Sequence, residues 1–153
     1  MFGRTYTAAQ IQEAFDDIRF WLSKGAPIWV AAACAGSHDG EDSFNETLRG
    51  DNKSAGGMSQ WHAARQQAIL MNTGIDVWTE PVEKQREAMY AEISEPWSAY
   101  RHVWSALMAT SDIVGAVTIL VEKYEQSSSQ ARDIARRTDL ANDWLTKFQG
   151  APS

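Results

Sequence analysis

The chain has 153 residues, 44% hydrophobic and 22% charged, which suits one domain over 1–153 with room for a real hydrophobic core. Its net charge of −6 argues against a general electrostatic hold on nucleic acid or on an anionic membrane. The single cysteine, Cys34, rules out an internal disulfide, and the longest apolar run, Ile28 to Ala35, is too short to span a membrane.

In chain order, the N-terminus reads as a helix. Thr7 and Gln10 have capping-box spacing, and Ile11, Ala14, Phe15, Ile18, Trp21 and Leu22 form a helical stripe. Lys24-Gly25 closes it, with Gly25 free to turn left-handed. Pro27 suits the first turn of a second helix. That helix runs through an alanine-rich stretch towards Gly40, where Gly36, Ser37, Asp39 and Gly40 weaken it.

From Asp42 to Gly57 the periodicity stops, and Asn, Asp, Gly and Ser dominate, as in a long loop or a small irregular β-hairpin. A third helix is predicted from Ser59 to Asn72 and a fourth from Pro81 to Ile93. Glu95-Pro96 opens another through Leu107, and Ser111 or Asp112 caps an apolar helix from Ile113 to Tyr124. Ser127-Ser128-Ser129 breaks the chain before a last helix carrying Ile134, Leu140, Trp144, Leu145 and Phe148. The fold class is mainly α, with one irregular polar insertion.

Glu41 stands where the small-residue helix meets the polar segment. A carboxyl half-buried at such an edge holds its proton more readily, as a general acid must. Local position alone leaves an ordinary solvated glutamate as the alternative. The histidines His38, His62 and His102 lie in separate segments with no zinc spacing, and no phosphate-binding loop or nucleophile elbow is present. Neither a metal nor a cofactor enters the reading. Cys34 reads as a small buried helix residue, with His38 four residues on as the only hint of a thiol nucleophile.

Downstream of Glu41 come Gly50-Asp51-Asn52, then Gly57-Met58-Ser59-Gln60-Trp61-His62 and Arg65. With Lys24-Gly25 upstream, Tyr124-Glu125 late in the chain, and Ala135-Arg136-Arg137, Leu140-Ala141 and Trp144-Leu145 at its end, this order and spacing resembles the phage tail lysozyme family. That family lies within the wider lysozyme and lytic transglycosylase superfamily. The resemblance covers about residues 8 to 148. It implies a lysozyme-like domain that cleaves the β-1,4 bond between N-acetylmuramic acid and N-acetylglucosamine in bacterial peptidoglycan.

Glu41 takes the place of the family's catalytic acid. The chain departs from the pattern at Asp42, where serine is common, at Ser59, where a bulky apolar residue is usual, and at Asn45-Glu46, where Asn-Pro is frequent. A charge on Asp42 is expected to raise the glutamate's pKa further.

Asp51 is the first candidate for a second carboxylate, with an Asx turn as its alternative; Glu46, Asp42 and Glu125 follow. A lytic transglycosylase needs no second carboxylate, so that chemistry stays open. The Gln60 amide suits an N-acetyl group, support of Glu41, or a backbone at a helix start. Trp61 either stacks on sugar or packs under the loop, and the seven tryptophans as a group divide between core and groove. Tyr124 resembles a late tyrosine that faces the glutamate in related transglycosylases.

The start, Met1 to Tyr6, lacks the apolar core of a secretory signal. The resemblance implies a protein of the phage virion, or one held in the host cytoplasm before release, that acts at the cell wall beside other tail proteins. Two alternatives remain: a virion structural protein that keeps the fold without activity, and a Cys34-His38 amidase or peptidase.

Overall fold

Small residues in the middle of the second helix let other helices close on it from all sides. The computed structural model describes residues 5–44, 49–50 (backbone alone), 55–126 and 128–151. In it, α1 (Ala8–Ser23) is followed by α2 (Ile28–Asp42), in which every residue from Val30 to Asp39 is buried. A helix buried all round is a core helix rather than a surface one. α1, α6 (Ile113–Ile119) and α7 (Gln130–Gly150) pack around α2, and α7 makes the most extensive contact.

The closest approach is at Gly36. A Cβ there would stand 2.8 Å from both the Ala141 nitrogen and the Arg137 carbonyl oxygen of α7. The alanine and glycine run is thus a groove for α7, as small residues that allow close helix packing lead one to expect. The helix continues past Gly40 to Asp42, so Glu41 sits in its last turn.

The capping box at Thr7 forms as expected, with Gln10 N–H donating to Thr7 Oγ1 at 3.1 Å and Thr7 N–H to Gln10 Oε1 at 2.8 Å. The polar insertion contains the expected small hairpin: β1 (Arg49–Gly50) pairs antiparallel with β2 (Ala55–Gly56), Gly50 opposite Ala55. α3 (Ala63–Thr73) starts four residues later than expected. The cause is local. Gln60 has a φ of +48°, and Trp61 N–H turns back to the Gly56 carbonyl at 2.8 Å, so no helix can pass through Gln60.

α4 (Val82–Ser94) matches its prediction, whereas α5 is only Val103–Met108. Between them the Ser98 hydroxyl accepts from Tyr100 N–H at 2.9 Å, a side-chain bond that favours turns over helix. Asp112 caps α6, accepting from Gly115 N–H at 2.8 Å. The apolar stretch after it does not stay α-helical. Leu120–Glu125 is a π-helical turn, closed by Gln126 N–H on the Val121 carbonyl at 2.8 Å. Such turns widen the helix by one residue and recur at functional sites.

One polar cluster is sealed inside. Asp17 of α1 receives Arg86 Nε of α4 at 3.2 Å and Trp21 Nε1 at 3.2 Å, and its other oxygen meets His38 Nδ1 of α2 at 2.5 Å. Three of the tryptophans, Trp21, Trp61 and Trp144, are fully buried. No helix among the described residues is long and apolar enough to cross a membrane.

Candidate active site

The end of α2 delivers Glu41 to the wall of a cavity of about 240 Å³. Ala55 of β2, Ser59 and Gln60 of the tight turn, His62 and Arg65 at the start of α3, and Glu125 of the π-helical turn complete the lining. Three segments distant in sequence, the end of α2, residues 55–65 and the π-helical turn, therefore converge on one polar hollow.

The Glu41 side chain is 20% exposed. Burial raises its pKa above the ordinary carboxylate value, and the Arg137 guanidinium works in the opposite direction. His38 also lowers it, while Asp133 of α7 raises it. The position adds to the burial effect, because the C-terminal end of a helix disfavours negative charge. Asp42 plays a different part from the one expected: its carboxylate accepts from Phe44 N–H at 2.9 Å, holding the left-handed turn at Ser43 and Phe44 that ends α2. Asp133 of α7 is an acidic neighbour that raises the Glu41 pKa.

Arg137 is the cation of this site, and sequence reasoning missed it. Its Nη2 lies 3.3 Å from Glu41 Oε1, and its Nη1 pairs with Glu125 Oε1. The Arg137 and Glu125 side chains are each 7% exposed. The guanidinium stem crosses α2 at Gly40, where a Cβ would stand 2.8 Å from Arg137 Nε. Neighbouring Arg136 donates to the Gly40 carbonyl at 3.3 Å. Glu125, one of the lesser candidate carboxylates, lies far from Glu41 in sequence. The π-helical turn brings it to the cavity.

A second buried network backs the opposite wall. Arg65 forms a two-pronged pair with Glu92 of α4, Nε to Oε2 at 2.9 Å and Nη2 to Oε1 at 2.8 Å. Its Nη1 donates to the Tyr124 carbonyl at 3.1 Å, and its guanidinium carbon lies 4.1 Å from the Tyr100 ring centroid and 4.5 Å from that of Tyr124. The arginine that follows Trp61-His62 thus ties α3 to both α4 and the π-helical turn.

The remaining sequence candidates separate into two groups. Gln60 lines the cavity, its side-chain amide donating to the Gly57 carbonyl at 2.9 Å. A non-glycine residue held at positive φ costs on the order of 1 kcal/mol or more, and such residues cluster at active sites. Trp61 does not face the cavity. It is 0% exposed and donates Nε1 to both Glu92 Oε1 and the Tyr124 hydroxyl at 3.1 Å. Of its two readings, packing under the loop is the one the structure adopts.

Tyr124 is buried with it, and its hydroxyl is engaged by Trp61, Glu92 and Ser59. Burial raises its pKa well above that of an ordinary phenol. Ser59, the departure from the bulky apolar residue, is the polar link between Tyr124 and the cavity. Asp51 and Glu46 lie outside the described residues.

Cys34 is buried, and burial raises its thiol pKa well above the usual value, so it is no accessible nucleophile. His38 is held by Asp17 and faces Met89 Sδ at 3.1 Å. Among the described residues no three His, Cys, Asp or Glu side chains converge in a way that could hold a metal ion.

A second hollow is lined by Ala64, Arg65, Ala68, Trp97 and Tyr100 among others. Trp97 and Tyr100 are half-buried there. Arg65 is a wall residue of both hollows.

The chain's sequence matches the family model described as phage tail lysozyme over residues 12–148. Among curated proteins none matches it.

Proposed function

Because the chain belongs to the phage tail lysozyme family, we propose that it cleaves the β-1,4 bond between N-acetylmuramic acid and N-acetylglucosamine in bacterial peptidoglycan, with Glu41 as the general acid. The observation that carries this reading is the placement of Glu41: a carboxyl at a helix end, pushed towards its neutral form by burial, facing a polar hollow. A carboxylic acid so held donates its proton to the leaving glycosidic oxygen as the bond breaks.

In this reading a glycan strand runs past Arg65, with its cleaved bond at the Glu41 hollow and a neighbouring sugar at the hollow lined by Trp97 and Tyr100. Gln60 offers its side-chain oxygen to an N-acetyl N–H while its amide nitrogen stays on Gly57. Trp97 and Tyr100 supply the flat apolar faces on which sugars stack, the part that Trp61 does not play. Trp61 and Tyr124 support the binding wall from behind, through Ser59 and Arg65.

Glu125 is a poor second catalytic carboxylate, because it is committed to Arg137. Asp51 keeps that role in the proposal. A water activated by Asp51 gives hydrolysis; capture by the substrate's own hydroxyl gives an anhydro product.

Membership of the family supports a place with the phage tail, where the reaction would be local opening of the host wall. Digestion of purified peptidoglycan followed by mass spectrometry of the soluble fragments tests the reading. Muropeptides with reducing ends identify a hydrolase and those with anhydro ends a transglycosylase. No release at any pH between 4 and 8 would leave the protein a structural part of the virion.

A further inference from the structure

Glu41 presents a conflict. A general acid must hold a proton, yet a guanidinium 3.3 Å away favours its loss. The same guanidinium carries a second carboxylate, Glu125, on its other nitrogen. Arg137 and Glu125 are both nearly removed from water, so the pair interacts in a low-dielectric setting where charges are weakly screened. Gly40 leaves the space in which the arginine stem crosses α2 to reach both acids.

We propose that Glu125 is a positioning residue that acts as the counter-anion of Arg137, occupying the guanidinium's charge so that Glu41 is free to carry a proton. The proposal rests on the reading of Glu41 as the general acid. It gives the π-helical turn a function, since that turn ends on Glu125 and brings it to the hollow.

The other groups facing Glu41 do not offer this control. His38 on its own helix is bound to Asp17, and Asp133 and Arg136 of α7 act at the helix edge, Arg136 on the Gly40 carbonyl. His62 and Arg65 line the hollow from α3 and the residue before it, and Arg65 is already paired with Glu92. Among the described residues, Arg137 is the charged side chain in direct contact with Glu41, and Glu125 is its partner.

The test is a charge ladder at that pair. Wild type and the double variant Glu125→Gln/Arg137→Gln carry a net charge of zero there, Glu125→Gln carries one positive, and Arg137→Gln one negative. The readouts are the alkaline limb of the pH–rate profile on peptidoglycan and, independent of turnover, the 13C titration of the Glu41 carboxyl. An opposite charge within a few ångström moves a carboxyl by about 1–3 pH units. Glu125→Gln is therefore expected to move limb and titration to lower pH by about 1 unit, with about tenfold less activity on the alkaline side and recovery in acid.

Arg137→Gln is expected to move them to higher pH, and the double variant to stay near wild type. If a single variant fails to fold, the other single variant and the double still give a comparison of two charges. The proposal is overturned if the Glu41 titration is the same across the ladder, or if both single variants shift it in one direction. Failure of the underlying reading looks different: Glu41→Gln would then keep wild-type turnover whatever the ladder does.

Discussion

Glu41 and Arg137 lie 96 positions apart and meet at 3.3 Å across a glycine. With Glu41 as the proposed general acid, the contact sets two demands on one arginine, which must steady that carboxyl without stripping its proton. It also makes the α2–α7 interface part of the site, so packing at that seam and chemistry at the hollow are linked.

The seam itself gives the first prediction. At Gly36 a Cβ would meet backbone atoms of α7 at 2.8–2.9 Å, and backbone cannot rotate away. Gly36→Ala is expected to destabilise the fold by about 1–3 kcal/mol, the usual cost of overpacking. Gly40→Ala meets the movable end of Arg137 and is expected to cost less stability while lowering activity. Urea denaturation of both variants, alongside their turnover, checks the contrast.

The titration of Glu41 gives the second. Burial raises its pKa in the folded state. For a group raised on folding, the stabilising contribution is full below the unfolded pKa and is lost as pH rises through the folded one. Wild type therefore loses stability to this group towards neutral pH, and Glu41→Gln does not. The variant is expected to melt higher at pH 7, by roughly 2–4 °C, a common scale for removing one unfavourable group in a domain of this size. The advantage should vanish at low pH. Calorimetry at pH 4 and pH 7 reads the difference.

Much of this was legible in the sequence. The Thr7–Gln10 capping box, the alanine-rich core helix, the hairpin after Asp42 and the cap at Asp112 all rest on neighbours close in sequence. So did the placement of Glu41 at the edge of a helix. Arg137 was not legible as a site residue, and Glu125 only as a lesser candidate carboxylate, because their pairing depends on α7 docking at Gly36 and Gly40 and on a widened turn that no local periodicity announces. Trp61 was ambiguous for a related reason: an indole that stacks on sugar and one that donates to a buried Glu92 look alike in one dimension. The helix predicted from Glu95 failed because Ser98 turns its hydroxyl onto the backbone.

Trp61 and Trp97 should part company on mutation. Trp61→Phe keeps the ring but removes the N–H that serves Glu92 and Tyr124, and the loss of a buried donor costs about 1–3 kcal/mol. It is expected to lower the melting temperature with little change in KM. Trp97→Ala, at the half-buried groove wall, is expected to raise KM several-fold with little change in stability. Kinetics on soluble glycan fragments and a thermal melt separate the two.

The Asp17 cluster predicts a purely structural loss. Arg86 is 5% exposed and holds Asp17 against His38. Arg86→Ala leaves that carboxylate short of its cation, and breaking a buried pair from one side costs about 3–5 kcal/mol. The unfolding free energy should fall by that amount, and any residual folded protein should keep the wild-type pH–rate profile.

The central claim is that Glu41 supplies the proton. Its most direct test is release of soluble muropeptides from purified peptidoglycan by wild type and by Glu41→Gln, with folding of both verified by circular dichroism. Removal of a positioned general acid costs about 100-fold or more in rate. The account predicts a folded Glu41→Gln variant with turnover reduced at least that far across the pH range. A folded variant that releases muropeptides at the wild-type rate would contradict it.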